Sequence, residues 1–180
     1  MRVFARKGFH ASRVGDIAEE AGVAHGLLYH YFESKDQVLE AVFSENWSLL
    51  VARIESVEET DEPAADQLRH VAAIVLRTWL HFPDVVRVVI QEFGRSPELG
   101  ERIGELTLPI DVIQRVISRG IERGEFRPDI DPVFAATVVY GSIDELLTGW
   151  VLGRLPGAEE DVTRAEQTLV EVTLLGLQKP

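Results

Sequence analysis

The sequence contains no cysteine and a single methionine among its 180 residues. The absence of cysteine excludes disulfide bonds and thiolate metal sites, and it fits a protein of the reducing cytoplasm. The chain also lacks any run of about 18 or more apolar residues, which excludes a membrane-spanning helix. Its first residues, MRVFARKGF, carry charge throughout, unlike a secretory signal peptide. We therefore expect a cytoplasmic protein that has no membrane partner.

The chain lacks the residue patterns of an enzyme as well. A di-iron site in a helical bundle needs Glu-x-x-His pairs, but the residues three positions before His70 and His81 are Gln67 and Thr78. We find neither a Ser-His-Asp set nor a glycine-rich phosphate loop. The sequence therefore predicts a protein that is not an enzyme and that holds no metal ion or cofactor.

Positive charge is scarce, since 18 Lys and Arg stand against 30 Asp and Glu, a net charge of −12. Such an excess of acid argues at first against nucleic acid, because binding phosphates requires a cationic surface. The acid is concentrated in one part of the chain: residues 1–46 carry a net charge of −2 and residues 47–180 carry −10. This distribution permits DNA binding by the first part. We predict two domains, 1–46 and 47–180.

Apolar residues recur at steps of three and four along the chain, and no segment shows the alternation of a strand. We expect an all-α protein of about nine helices, with three small helices first and a larger helical bundle after them. Ser12 is the expected N-cap of the second helix. Ser34 and Gln37 form a capping-box pattern that starts a long helix belonging to both domains. Pro109 interrupts a later pattern, so either a helix kinks there or two helices meet.

The segment Val14–Phe32, VGDIAEEAGVAHGLLYHYF, has the pattern of a helix, a tight turn and a second helix. Ile17, Ala18 and Ala21 lie on one face of the first helix, and Gly22 supplies the left-handed residue that ends it. A pair of this size can place the start of its second helix in the major groove of DNA. Similar pairs also occur in proteins that never bind DNA, so the spacing leaves both interpretations open.

The residue identities in this region favour DNA binding. The N-terminal motif of the tetracycline-repressor (TetR/AcrR) family of bacterial transcriptional regulators closely resembles the segment DIAEEAGVAHGLLYHYFESKDQVLEAV. The resemblance rests on an Ile-Ala pair, an Ala-Gly-Val turn, a Gly-x-Leu-Tyr-x-Tyr-Phe helix and a Ser-Lys start to the next helix. It implies an N-terminal three-helix helix-turn-helix DNA-binding domain and a larger ligand-binding and dimerisation domain. It further implies a homodimeric repressor of a palindromic double-stranded operator, released by a small apolar effector.

The resemblance also implies the residues that contact DNA, which are Ser12, Arg13, His25, Gly26, Leu27, Tyr29, His30 and Lys35. The first positions of the second helix would face base edges, while Lys35, Ser12 and Arg13 would contact the phosphate backbone. Leu28, Tyr31 and Phe32 are expected in the core. The groove-facing positions are atypical, because Ala24 lacks the usual capping hydroxyl and His25 and Leu27 replace the usual Lys and Thr. We therefore expect an unusual base preference.

Two stretches of the larger domain, VIQEFGRSPEL at Val89–Leu99 and GSIDELLTGWVL at Gly141–Leu152, resemble the branch of the family that regulates fatty-acid degradation and responds to acyl-CoA. An elongated apolar pocket with an arginine at its mouth would suit such a ligand. The residues expected there are Trp79, Phe82, Phe93, Arg95, Leu108, Ile113, Tyr140 and Trp150. The alternative is that most of these side chains are ordinary core.

The last two helix patterns, Phe134–Leu152 and Glu159–Leu177, carry more apolar residues than one bundle can bury, which favours a second copy as partner. The residues expected in the dimer contact are Val139, Ile143, Leu147, Val162, Leu169 and Val172. Asp144 and Glu145 interrupt the first pattern, and we expect them to be paired, because a buried carboxylate is otherwise costly. A dimeric protein that binds acyl chains or other hydrophobes without binding DNA remains the alternative function.

Overall fold

The computed structural model describes residues 1–92 and 107–178. This part of the chain contains helices and no strand. The helices are α1 (Arg2–Lys7), α2 (Val14–Ala21), α3 (His25–Tyr31), α4 (Lys35–Glu58), α5 (Ala64–Leu76), α6 (Thr78–His81), α7 (Pro83–Glu92), α8 (Leu108–Glu122), α9 (Pro132–Val151) and α10 (Glu159–Leu177). Since α6 is a single turn, the described residues form nine longer helices, and the all-α prediction is confirmed.

The described residues divide into two compact units. The first comprises Met1–Leu49 together with residues 82–92, and the second comprises Leu50–His81 together with residues 107–178. The helix α4 contributes residues to both units. The predicted division at residue 46 was drawn along the chain, whereas the first unit also includes α7, which packs against α1.

The short helix α1 is held by burial of its apolar side. A helix of two turns is unstable in isolation, but Val3 and Phe4 are buried where α1 contacts α2 and α7. The ring of Phe4 lies 5.7 Å from the ring of Phe9, which is also buried. Gly8 then ends the helix with φ of 75°, a conformation that glycine adopts without a steric cost.

The start of α2 differs from the prediction by one residue. Arg13, not Ser12, is the N-cap, and its backbone N–H donates to the Asp16 carboxylate at 2.9 Å. The Ser12 hydroxyl instead donates to the carbonyl oxygen of Gly8 at 2.6 Å. At the other end Gly22 has φ of 69°, the left-handed conformation predicted for the turn.

Later helix boundaries follow local chemistry. The backbone N–H of Gln37 donates to the Ser34 hydroxyl at 3.2 Å, which confirms Ser34 as a cap of α4. Pro109 is the second residue of α8, where a missing N–H costs no helical hydrogen bond, so a helix begins there. The part of the interrupted pattern that precedes residue 107 lies outside the described residues. Between Ala64 and His81 the helical residues divide at Arg77 into α5 and α6.

The second unit is built on α8, which packs against α5 and α9, while α10 packs against the same two helices. Gly120 permits the close approach, because a Cβ atom there would lie 2.4 Å from the Phe126 ring and 2.8 Å from Cβ of Ala64. Asp131 caps α9 by accepting a hydrogen bond from the N–H of Val133 at 2.8 Å. None of the described helices is long and apolar enough to cross a lipid bilayer.

Candidate nucleic-acid interface

The second helix of the helix-turn-helix, α3, lies on the surface of the first unit. It contains no buried residue, and only Leu28 is partly covered. Its N-cap Ala24 has an extended backbone and makes no side-chain capping bond, as the sequence predicted for alanine. Leu27 and Tyr29 are about half exposed. Apolar and aromatic side chains that a small helix leaves uncovered favour contact with a partner surface.

Tyr31 corrects one sequence prediction. It was expected in the core with Leu28 and Phe32, but its side chain is 70% exposed, whereas those two residues are partly buried. Helical geometry explains the difference, because Tyr31 lies four residues after the exposed Leu27 and therefore on the same face. That spacing was present in the sequence and could have identified Tyr31 as a surface residue.

His25 is held in place at the start of α3. Its ring meets the ring of Tyr29 edge to face, with centroids 5.1 Å apart. On its other side lies Gly15 of α2, where a Cβ atom would come within 3.1 Å of Nε2 of His25. The glycine therefore lets the start of α3 approach α2 closely. Two neighbours thus orient an exposed side chain that can donate and accept hydrogen bonds.

Gly26, the next residue, leaves open space at the start of α3. It is exposed, and a Cβ atom there would meet no other part of the described chain within 4 Å. Its lack of a side chain is therefore not required by packing within the chain. A bare backbone at a helix N-terminus can be approached closely by a nucleic acid, and its N–H groups favour anions. His30, also exposed, has its ring 5.2 Å from that of Tyr31.

Three basic side chains of α1 lie against the acids of α2. Arg2 and Arg6 approach the Glu20 carboxylate at 2.8 and 3.5 Å. Lys7 pairs with Asp16 at 2.8 Å, and that hydrogen bond, with one from the Arg13 backbone, lowers the pKa of Asp16. The negative charges of α2 are thereby offset, which reduces their repulsion of a phosphate backbone.

Two of the residues predicted to bind phosphate have other partners. Ser12 is 3% exposed and its hydroxyl donates to the carbonyl oxygen of Gly8, so its side chain is buried within the chain. The Lys35 ammonium group donates to the carbonyl oxygens of Phe9 at 2.7 Å, His10 at 3.1 Å and Ser12 at 3.3 Å. A phosphate contact from either side chain would have to compete with these partners, so both predicted contacts stay predictions. Arg13 is exposed, and its predicted contact stays a prediction.

The second unit contains the tryptophans predicted to line an effector pocket. The rings of Trp79 and Trp150 stack with centroids 6.2 Å apart, and Nε1 of Trp79 donates to the carbonyl oxygen of Gly157 at 3.0 Å. Tyr140 is partly buried, and burial with the nearby charge of Asp144 raises its pKa to about 12. Trp79 and Trp150 are thus the two predicted lining residues that the structure brings into direct contact.

Not all of the other residues predicted to line the effector pocket lie with Trp79 and Trp150. Phe82 belongs to the first unit and is 53% exposed, so the prediction that it lines the pocket is not supported. Ile113 is completely buried in the core of the second unit, and Leu108 is partly buried at the start of α8. Phe93 and Arg95 lie outside the described residues.

The dimer prediction selected core positions. Five of the six residues predicted for the dimer contact are buried within their own chain and offer little surface to a partner: Val139, Ile143, Leu147, Val162 and Leu169. The sixth, Val172, is 67% exposed. The apolar side chains of α9 and α10 that are at least half exposed are Val133, Phe134, Val138, Val172 and Leu175. Between the two helices runs a groove of about 730 Å³, with Leu169 among its lining residues.

The two acids of α9 differ in their surroundings. Glu145 accepts a hydrogen bond from Arg154 at 2.9 Å, so it is paired as predicted. Partial burial raises the pKa of the Asp144 carboxyl, and the neighbouring charge of Glu145 raises it further.

These features define a class of protein: an all-α protein with an exposed helix-turn-helix and a larger helical unit. Residues 1–42 match the family model of the bacterial regulatory proteins, tetR family, and residues 57–168 match that of the tetracyclin repressor-like C-terminal domain. The second match alone spans more than half of the chain. The protein belongs to the tetR family of transcriptional regulators, which are DNA-binding proteins and not enzymes.

Relatives match the chain over nearly its whole length. The fatty acid metabolism regulator protein of Bacillus subtilis is 27% identical over 98% of this chain and 91% of the relative. The HTH-type transcriptional repressor KstR2 of Mycolicibacterium smegmatis is 27% identical over 97% of this chain and 85% of its own length. The crystal structure of FadR from Bacillus subtilis in complex with stearoyl-CoA is similar with a TM-score of 0.84, at 27% identity, over 98% of this chain and 95% of that one.

Proposed function

We propose that the protein is a homodimeric repressor that binds a palindromic operator and is released from it by a long-chain acyl-CoA. The observation that carries the proposal is the surface of α3, which buries none of its own residues and presents Leu27, Tyr29 and Tyr31. In a dimer, two such helices would enter successive major grooves about 34–36 Å apart.

Base recognition falls to the first turn of α3. His25 can hydrogen-bond base edges, Leu27 offers an apolar contact to a thymine methyl group, and Gly26 allows close approach. Tyr29, Tyr31 and His30 extend the same surface toward the C-terminal end of the helix. The exposed guanidinium group of Arg13 is the proposed phosphate contact from α2.

The groove between α9 and α10 is the proposed dimer surface. The small residues Gly141 and Ser142 are among its lining residues, and they permit close packing of a second helix pair. Glu145 and Arg164 also line this groove, so charges of both signs lie beside its apolar residues. A two-fold pairing of the grooves would cover Phe134 and Val138.

The acyl-CoA assignment is supported by the similarity to the fatty acid metabolism regulator protein of Bacillus subtilis and to the structure of FadR from that organism with stearoyl-CoA. In this chain the stacked pair of Trp79 and Trp150 gives the second unit an aromatic cluster suited to an apolar ligand. An effector can shift DNA binding only if it binds one conformation of the protein better than the other. The helix α4, with residues in both units, is the proposed connection.

A gel-shift titration against the DNA upstream of the protein's own gene tests the DNA-binding proposal. We expect a shift for the wild type and a loss of affinity of about 5- to 150-fold for Tyr29→Ala, since removing one well-placed contact costs about 1–3 kcal/mol. The matched control is Leu49→Ala, another exposed apolar residue of the first unit that lies on α4. A wild-type protein that shifts neither this fragment nor selected genomic fragments would favour the hydrophobe-binding alternative.

Thermal shifts with acyl-CoAs of graded chain length test the effector. Preferential binding to the native fold must raise the melting temperature, so we expect the shift to grow with chain length and to be absent with coenzyme A alone. Quenching of tryptophan fluorescence should follow the same order. If free fatty acids stabilise the protein and acyl-CoAs do not, the acyl-CoA proposal is wrong.

Light scattering after gel filtration tests the dimer surface. Val138→Glu places a charge in the proposed contact, so we expect a monomer, whereas Leu49→Glu introduces the same charge at an equally exposed apolar site and should leave the dimer intact. A Val138→Glu protein that remains dimeric would rule out this surface.

A further inference from the structure

We propose that Lys35 is a positioning residue, whose ammonium group holds the loop between α1 and α2 and thereby the start of α2, instead of binding a DNA phosphate. The part of this inference that concerns DNA rests on the proposed function. The part that concerns the loop does not.

The hydrogen-bonding capacity of Lys35 supports the proposal. An ammonium group has three donors and no acceptor. Here three carbonyl oxygens, of Phe9, His10 and Ser12, lie 2.7, 3.1 and 3.3 Å from Nζ. All three donors are therefore used within the chain, and a bond to a phosphate would require breaking one of them.

The loop is arranged around this cation. Nζ also lies 4.3 Å from the centroid of the Phe9 ring, within the range of a cation–π contact. The ring itself is buried, so the aromatic face cannot turn away without opening the core. Two further hydrogen bonds stabilise the loop. The Ser12 N–H donates to the carbonyl oxygen of Phe9 at 3.2 Å, and the Ser12 hydroxyl donates to the carbonyl oxygen of Gly8 at 2.6 Å.

Because of its position in the chain, Lys35 connects two helices through its contact with the loop. It is the first residue of α4, and the preceding turn is fixed because the Glu33 N–H donates to Gln37 at 2.8 Å and the Gln37 N–H donates to Ser34. The loop that it binds ends at Arg13, the N-cap of α2. Lys35 therefore ties the start of α4 to the start of α2, residues that are distant in sequence.

Electrostatics explains why a cation is needed there. Three carbonyl oxygens that converge on one point create a negative potential, which would repel a phosphate and would be costly to leave without a partner. The ammonium group neutralises it and satisfies all three oxygens. Arginine would preserve the charge, but its donors form a planar fork and match this convergence poorly.

Amide hydrogen exchange of the full chain without DNA tests the loop. We expect Lys35→Met and Lys35→Arg to accelerate exchange in residues 8–13 about tenfold, the effect of losing roughly one charge-assisted hydrogen bond. Exchange in α9 and α10 should not change. Arg13→Gln, an exposed basic residue in the same region, is the matched control and should leave the loop protected. If neither Lys35 variant accelerates exchange, the proposal is overturned.

Salt-dependent binding to a labelled mixed-sequence duplex of about 30 base pairs tests the role in DNA binding. Each phosphate contact contributes about 0.9 to the slope of log K against log salt concentration. We expect Lys35→Met to weaken binding with the slope unchanged, and Arg13→Gln to reduce the slope by about 0.9. A slope reduced by Lys35→Met, or full affinity retained by Lys35→Arg with an intact loop, would establish a phosphate contact instead. A wild type that binds no DNA refutes the proposed function, while amide exchange still decides the role of Lys35.

Discussion

The indole Nε1 of Trp79 donates a hydrogen bond to the carbonyl oxygen of Gly157, 3.0 Å away. The contact joins α6 to the connection between α9 and α10, and Gly157 fits because it has no side chain: a Cβ atom would lie 2.6 Å from that nitrogen and 3.4 Å from Trp150. We expect Gly157→Ala to lower the free energy of unfolding by about 1–3 kcal/mol through overpacking. Urea denaturation measures the loss.

Gly176→Ala is the control for that prediction. Gly176 is exposed on α10, and a Cβ atom there would meet no other described atom within 4 Å. Alanine at this position should leave the free energy of unfolding unchanged or raise it by up to about 0.5–1 kcal/mol, because glycine is a poor helix former. Equal effects of the two substitutions would contradict the packing explanation for Gly157.

Gly26→Ala should separate stability from DNA binding. The added methyl group meets open space in the free protein, so the melting temperature should stay the same or rise slightly. On the proposed operator the same methyl group would occupy the space between backbone and base edges. We therefore expect weaker DNA binding, measured by fluorescence anisotropy, with no loss of stability. Unchanged affinity would show that DNA does not approach this turn of α3.

Tyr31→Ala distinguishes a surface residue from a core residue. Truncating a buried aromatic side chain costs about 3–5 kcal/mol, whereas a side chain that is 70% exposed should cost less than about 0.5–1 kcal/mol. We expect the small loss, together with reduced affinity for DNA. Phe32→Ala, one residue later and partly buried, should show the larger destabilisation. If urea denaturation shows a larger loss of unfolding free energy for Tyr31→Ala than for Phe32→Ala, Tyr31 is a core residue.

Glu58→Gln should destabilise the protein in a pH-dependent manner. The Glu58 carboxylate accepts hydrogen bonds from Arg115 at 2.8 and 2.7 Å, and these bonds lower its pKa. A carboxyl whose pKa is lowered by folding stabilises the native state above its unfolded pKa, and this stabilisation is lost as the pH falls through the lower, folded value. Because Arg115 is half exposed, we expect a cost of only about 1 kcal/mol at pH 7.

The measurement is urea denaturation at neutral pH and again below about pH 4, where unfolded glutamate is largely protonated. The difference between wild type and Glu58→Gln should shrink at the lower pH. Glu59→Gln, at the exposed neighbouring position, is the control and should have little effect at either pH. A difference that persists or grows in acid would show that Arg115 does not stabilise the ionised form.

Local chemistry made several features of the fold predictable. Gly8 and Gly22 end helices because each has a positive φ that other residues adopt at a cost. Asp131 begins α9 because a short carboxylate can accept hydrogen bonds from the first N–H groups of a helix. These preferences depend on residues a few positions apart, so the sequence alone contains the necessary information.

The faces of the last two helices were less predictable. Val139, Ile143 and Leu147 form a correct apolar line on α9, but the line faces the chain's own core. The more exposed Phe134 and Val138 lie on an adjacent line of similar hydrophobicity. Periodicity identifies an apolar face without identifying what covers it, so the choice between core and partner required the packed structure.

The sequence by itself determined the helix-turn-helix and the helical class, because both follow from short-range periodicity, turn glycines and caps. The tertiary structure decided what individual side chains do, since burial and hydrogen bonding depend on residues distant in the chain. Lys35 illustrates this difference: its place at the start of α4 is local, but its three carbonyl partners lie 23 to 26 residues earlier. Only the folded chain brings them within reach of one ammonium group.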